Sequence, residues 1–152
     1  MQNECQIVEQ HAQTTLVVRT RTAVGNLPQV LGEAFHGILN YLGETDGKCI
    51  GAPFVAYYNM DMDDLDIEIG FPISKKLPGK GEVQSSEIPA GKQATCLYVG
   101  PYNQIESAYG VLMKYIQEKG LTPTGVAYEF YLNDPGETSE SELQTKIAFP
   151  LK

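Results

Sequence analysis

Positive charge is scarce in this sequence: 11 lysines and arginines stand against 19 aspartates and glutamates, a formal net charge of −8. A nucleic-acid surface needs a basic stripe, so direct binding of DNA or RNA is not expected. A neutral or cationic partner suits the chain better. Histidine occurs only as His11 and His36, without metal-ligand spacing, and no metal site is expected. Cys5, Cys49 and Cys96 are odd in number and form no CxxC motif, which reads as reduced thiols in a cytoplasm rather than a disulfide framework. The opening "MQNECQIVEQ" has no basic-then-apolar run, so no signal peptide is expected. No apolar stretch approaches membrane-spanning length.

Familiar chemical motifs are missing as well. "PGKGE" (78–82) lacks the Ser or Thr that follows the lysine of a phosphate loop. "DMDDLD" (61–66) lacks the glycine and glutamate of a calcium loop and reads as a solvated turn. No nucleophile elbow or serine–histidine–acid set appears. No cofactor is expected.

What is present is a pattern written twice. The composition, 42% hydrophobic over 152 residues, fits one globular domain spanning 1–152. "TTLVVRTRT" (14–22) reads as a strand. It leads into a helix over 24–43, where Leu27, Val30, Leu31, Ala34, Phe35, Ile38, Leu39 and Leu42 recur at three and four. "APFVAYYNM" and the alternating "DLDIEIGFPI" give two more strands. After a Gly/Pro/Lys connector the series repeats. "KQATCLYVG" is a strand, 101–120 a helix, and "GVAYEFYLND" and "LQTKIAFPLK" are strands. Asn26 with Gln29 and Asn103 with Glu106 resemble capping boxes, and Gly43 and Gly120 are helix stops. "QNECQIVEQ" and "EVQSSEIP" are each expected to pair with the next strand along the chain.

The expected fold is therefore α+β, with halves 1–75 and 82–152. Two helices lie on one face of a curved antiparallel sheet of about eight strands, with a cleft at a pseudo-twofold axis. Aligning the halves sets Tyr58 against Tyr131, Asp61 against Asp134, Ala56 against Glu129 and Phe54 against Ala127. Glu129 stands in the middle of the aromatic strand "YEFYL". A carboxylate buried there without a partner is costly. It faces either water or something that needs a negative charge, and its assigned twin is an alanine.

The second half resembles the gyrase-inhibitor-like small-molecule-binding family, also seen as the effector-binding domain of AraC-type and multidrug-responsive regulators. The resemblance rests on Gly100-Pro101-Tyr102, Ala108-Tyr109, Gly120, Pro123, Glu129, Tyr131-Leu132-Asn133-Asp134-Pro135, Glu142 and Pro150, with "AYYNMD" and "DIEIGFP" as looser matches earlier. It covers nearly the whole chain. It implies a duplicated α+β fold and a hydrophobic pocket holding an acid that meets lipophilic cations. Some members similar to this chain hydrolyse cyclopropane-bearing toxins with a glutamate and a tyrosine, where Glu129 and Tyr131 stand here. Tryptophan, common in the family's second helix, is absent, and Tyr115 takes that place. No helix-turn-helix precedes the domain, so DNA binding in the manner of the regulators is not expected.

The residues and the resemblance lead to one expected function and two alternatives. The expected function is binding or sequestering of lipophilic, cationic drugs or toxins. The ligand site is then Glu129, Tyr131, Tyr58, Phe54, Ala56, Tyr109 and Phe35, although aromatics at such spacing are usually core. The first alternative is a hydrolase in which Glu129 is general base and Tyr131 hydrogen-bond donor. The second is an interaction domain acting on a partner such as DNA gyrase.

Overall fold

The structure, a computed structural model, describes residues 4–133 and 136–152. Asp134 and Pro135 of the family motif, and Gln2 and Asn3 of the first expected strand, lie outside the described residues. Eight strands and two α-helices make the α+β fold expected from the sequence: β1 (Glu4–Gln10), β2 (Gln13–Thr22), α1 (Leu27–Gly43), β3 (Phe54–Tyr57), β4 (Leu65–Pro72), β5 (Gln84–Ile88), β6 (Gly91–Val99), α2 (Glu106–Glu118), β7 (Ala127–Tyr131) and β8 (Gln144–Pro150).

The chain divides into two compact units, but not at the connector after residue 75. An inserted unit takes His11–Ala90, and a terminal unit takes the chain up to Gln10 together with Gly91–Lys152. The expected pairing of β1 with β2 and of β5 with β6 is overturned. β1 pairs with β6, from Glu4↔Leu97 to Gln10↔Gly91, and β5 pairs with β2, from Gln13↔Ile88 to Val17↔Gln84. The links after β1 and β5 are two residues each, His11-Ala12 and Pro89-Ala90. Neither is used as a hairpin turn, which would need Asn-Gly-type chemistry. The strand orders are β3-β4-β2-β5 in the inserted unit and β1-β6-β8-β7 in the terminal unit, and the pairs within each are antiparallel.

In the inserted unit the alternation of β4 works as read. Leu65, Ile67, Ile69 and Phe71 are buried, and Asp66 and Glu68 lie on the other face. α1 lays Ala34, Ile38 and Leu42 inward, and Ile38 and Leu42 pack on Leu16, Phe71, Ile73, Leu77 and Val83. Each fully buried Leu or Ile here contributes about 1.5–3 kcal/mol. Leu39 is 49% exposed, because it falls one step past that seam. In the terminal unit α2 buries Ala108, Leu112 and Ile116 and packs against β6.

Neither expected capping box forms. The chain enters each helix through a 3-10 turn, Val24–Asn26 and Tyr102–Gln104, and no side-chain oxygen caps either helix. Gly120 does end α2. At φ +69° it donates to Gln117 O while Leu121 N–H donates to Ile116 O, a Schellman closure. Gly70 is required by packing, since a Cβ there would lie 2.5 Å from Leu16 O and 3.2 Å from the Phe54 ring.

Candidate functional site

β7 alternates so that Glu129 and Tyr131 share a face. The ladder to β8 sets Glu129 opposite Ile147 and Tyr131 opposite Thr145. Across β6 the same rows continue to Cys96 and Tyr98. α2 delivers Tyr109, the residue after buried Ala108, onto this face. Its ring meets Phe149 edge-on at 5.6 Å, and its hydroxyl donates to Glu129 Oε2. Tyr131 Oη donates to Glu129 Oε1 at 2.9 Å, and the Tyr131 ring is braced edge-on by Tyr102 at 5.6 Å.

Glu129 is thus 8% exposed with one tyrosine hydroxyl on each carboxylate oxygen. No lysine, arginine or histidine among the described residues pairs with it. Burial pushes its carboxyl above the usual carboxylate range, and the two tyrosine hydrogen bonds oppose that rise. Next to it the Thr145 hydroxyl is fully buried and has no hydrogen-bond partner among the described residues. Sequence reasoning did not find Thr145. The available signal was a lone polar residue in the buried alternation Thr145, Ile147, Phe149 of β8.

The inserted unit carries the same positions without the carboxylate. Asn59 accepts from Asp66 N–H and donates to Asp64 O, and Asn133 accepts from Gln144 N–H and donates to Glu142 O. Likewise Tyr58 N–H donates to Asp66 O, as Leu132 N–H does to Gln144 O. These brackets put Tyr57 at the place of Tyr131 and Val55 at the place of Glu129, so the alignment of Tyr58 with Tyr131 and Ala56 with Glu129 is one residue off. A slip of one residue exchanges the faces of a strand. The remaining pairs agree: Val55↔Ile69 and Tyr57↔Ile67 against Glu129↔Ile147 and Tyr131↔Thr145. On the helices, Phe35 follows Ala34 as Tyr109 follows Ala108, and Phe35 meets Phe71 edge-on at 5.2 Å.

Of the expected site residues, the structure brings together Glu129, Tyr131 and Tyr109. Phe35 holds the place of Tyr109 on α1. Phe54, Ala56 and Tyr58 lie on the face of the inserted unit away from Val55 and Tyr57. There Tyr58 Oη is 3.4 Å from Glu68, and the Arg19 guanidinium stacks 4.0 Å from the Tyr58 ring centre. Arg19 makes a two-pronged ion pair with Asp66, at 2.7 and 2.9 Å. Burial raises the Glu68 carboxyl, against Arg19 and Tyr58, which lower it. In the turn read as non-calcium, Asp64 pairs with Arg21. A separate polar concavity of about 400 Å³ in the terminal unit is lined by Asn133, Glu137, Ser139, Glu142 and Gln144 among others, and does not include Glu129.

Comparison with known proteins bears on the family and the fold. A family model described as a GyrI-like small molecule binding domain matches residues 3–152. The C-terminal domain of EcmrR superposes with a TM-score of 0.82 at 18% identity, over 100% of this chain and 99% of that one. EcmrR in a DNA complex superposes at 0.86 and 19% identity, and there this chain spans 58% of the other's length. SAV2435 bound to tetraphenylphosphonium superposes at 0.71 with 12% identity, covering 98% of this chain and 94% of that one. A hydrolase from Listeria innocua does so at 0.71 with 11% identity, covering 98% and 92%. These likenesses show a common fold. No curated protein matches the chain by sequence. No helix among the described residues is long and apolar enough to cross a membrane.

Proposed function

Because the chain belongs to the GyrI-like small-molecule-binding family, we propose that its ligands are lipophilic cations and that Glu129 is the charge that selects them. One observation carries this reading: a carboxylate 8% exposed, held by two tyrosine hydroxyls and matched by no basic group among the described residues. A buried charge without a counter-ion is unfavourable, and an incoming cation supplies what is missing. The Tyr109, Tyr131 and Phe149 rings offer the faces and edges that a cation with aromatic substituents packs on. The bound tetraphenylphosphonium of SAV2435 is the same class of ligand on the same fold.

The test is calorimetric titration with tetraphenylphosphonium and with neutral triphenylphosphine oxide. The cation binds and the neutral compound binds much less. Glu129→Gln keeps the shape and removes the charge, and it weakens cation binding at least tenfold. Equal affinity of the variant and the parent for the cation overturns the reading. Proton linkage gives a second measure. A cation needs the ionised carboxylate, so affinity rises with pH until Glu129 is fully ionised, by up to about tenfold per unit. Protons are released on binding in acidic buffer.

A second reading, hydrolysis of a strained electrophile such as a cyclopropane-bearing toxin, draws on the same hydrogen bond. A carboxyl with a raised pKa next to a phenol 2.9 Å away is a general acid–base pair. Product formation followed by mass spectrometry decides it. Turnover slowed about 100-fold by Glu129→Gln supports the hydrolase, and binding without turnover across a panel of such compounds removes it.

A further inference from the structure

Two thiols face each other at the edge of the terminal unit. Cys5 on β1 is directly opposite Cys96 on β6 in the antiparallel ladder. Residues opposed in an antiparallel ladder have Cα atoms about 4.5–5.5 Å apart, inside the about 4.4–6.8 Å that a disulfide spans. β1 is the outer strand of the order β1-β6-β8-β7. Cys5 is half-buried on that edge, whereas Cys96 is 1% exposed beneath it. The third cysteine, Cys49, is exposed in the inserted unit.

We propose that Cys5 and Cys96 form an oxidisable dithiol, converted by a hydroperoxide into a cross-strand disulfide that clasps β1 to β6. The Cys5 sulfur attacks the terminal peroxide oxygen. An S–O bond forms, the O–O bond breaks, and water leaves when the oxidant is hydrogen peroxide. Cys5 is then a sulfenic acid. The Cys96 sulfur attacks the Cys5 sulfur, the S–O bond breaks, and the departing hydroxide takes the Cys96 proton as a second water. Two thiols and one peroxide give one disulfide and two waters. Of the two, Cys5 is the first to react because a peroxide reaches it and not the buried Cys96. Burial, with the Cys5 thiol next, pushes the Cys96 thiol up to about 12, which makes it the less reactive of the two toward peroxide.

The position gives the bond a structural consequence. The chain leaves the terminal unit after β1, builds all of the inserted unit, and returns at β6. A Cys5–Cys96 bond therefore closes the whole inserted unit into a covalent loop at its points of exit and return. It also fixes a row that reads Cys5, Cys96, Ile147, Glu129 across β1, β6, β8 and β7.

The experiment exposes the folded full-length protein to equimolar hydrogen peroxide, alkylates remaining thiols with N-ethylmaleimide, and maps peptides without reductant. The expected product is one crosslinked pair of peptides carrying Cys5 and Cys96, with Cys49 alkylated, and dithiothreitol reverses it. In Cys96→Ser, Cys5 is trapped by dimedone as a sulfenic acid. The oxidised parent melts higher than the reduced parent, and Cys5→Ser abolishes the difference. Crosslinks that involve Cys49, Cys5 and Cys96 both alkylated after Cys49 has been oxidised, or an oxidised form that melts no higher than the reduced one would each overturn the proposal.

Discussion

Phe35 on Phe71 and Tyr109 on Phe149 are one contact made twice, edge-on at 5.2 and 5.6 Å. Each joins the helix of its unit to a long strand, β4 beside β3 in one case and β8 beside β7 in the other. The two differ by a hydroxyl, and that hydroxyl donates to Glu129. At the ladder position of Glu129 the inserted unit has Val55, and at that of Thr145 it has Ile67; both are fully buried. Three apolar positions of one unit are polar in the other, and all three lie on one face. The inserted unit shows that the scaffold folds with hydrocarbon there. Burying a carboxyl, and a hydroxyl that has no partner among the described residues, costs stability that the fold does not require, which is why these groups carry the functional reading.

The sharpest way to break the comparison is to move the charge. Val55→Glu places a carboxylate in the inserted unit, where Tyr57 stands at the place of Tyr131 but Phe35, at the place of Tyr109, has no hydroxyl to give it and no basic group among the described residues is built in to match the charge. The variant should lose about 4 kcal/mol in urea unfolding at neutral pH, the range of an uncompensated buried charge, and recover part of it in acid as the carboxyl takes up a proton. A loss below about 1 kcal/mol would mean that this face admits water and that Glu129 is unexceptional.

The next test converts the terminal unit toward its neighbour. Tyr109→Phe recreates Phe35. It removes a hydrogen bond to an ionisable oxygen and should cost about 2 kcal/mol. The Glu129 carboxyl should rise further, because the Tyr109 hydroxyl is the larger of the two hydrogen bonds that hold it down. Glu129→Gln acts through pH. Glu129 binds its proton more tightly folded than unfolded, so its contribution favours the fold below the usual carboxylate range and is lost as pH rises through the raised value. The variant should melt a few degrees above the parent at neutral pH, and the gap should close in acid. A gap that widens in acid would reverse the assigned direction of the shift.

These positions also show how much the sequence made legible. Period-2 alternation located the β4 face from Leu65 to Phe71, and period-3.6 spacing located Ala34, Ile38 and Leu42, because burial on one face leaves that imprint. Glu129 stood out as a carboxylate in an aromatic strand. Tyr109 is legible as a ligand-site residue but not as the partner of Glu129, since a hydrogen bond across a helix–sheet gap leaves no local signature. The twin of Glu129 was misassigned by matching tyrosines; matching Asn59 with Asn133, whose amides bracket the next strand, gives the observed register. The exchange of β1 and β5 was not legible, because edge-strand partners are chosen by pairing distant in sequence rather than by local pattern.

A smaller effect is expected at Thr145. Thr145→Val keeps the shape and deletes a hydroxyl that is buried without a partner among the described residues. It should stabilise the protein by about 1 kcal/mol. Tetraphenylphosphonium, which has no hydrogen-bonding group, should bind the variant as it binds the parent, whereas a cation bearing a hydroxyl or carbonyl beside its charge should lose affinity if Thr145 reads it. A variant that melts lower than the parent would show that the hydroxyl is satisfied in solution.

The smallest effect is expected on the other face of the inserted unit, where charge is plentiful and paired. Arg19 joins Asp66 at 2.7 Å and covers Tyr58, yet its side chain is 43% exposed. An exposed pair is screened by water and salt, so Arg19→Met, which keeps much of the stem over the Tyr58 ring, should cost less than about 1 kcal/mol. That loss should shrink further at high salt, unlike the Val55→Glu loss. Arg19 lowers the pKa of Glu68, so its removal lets burial push the Glu68 carboxyl higher still. NMR titration of the Glu68 side chain should show the upward shift in Arg19→Met and not in Tyr109→Phe. If Arg19→Met instead destabilises as much as Tyr109→Phe does, pairing and exposure are not what separates the two groups of charges, and the proposal that Glu129 selects a cation loses its support.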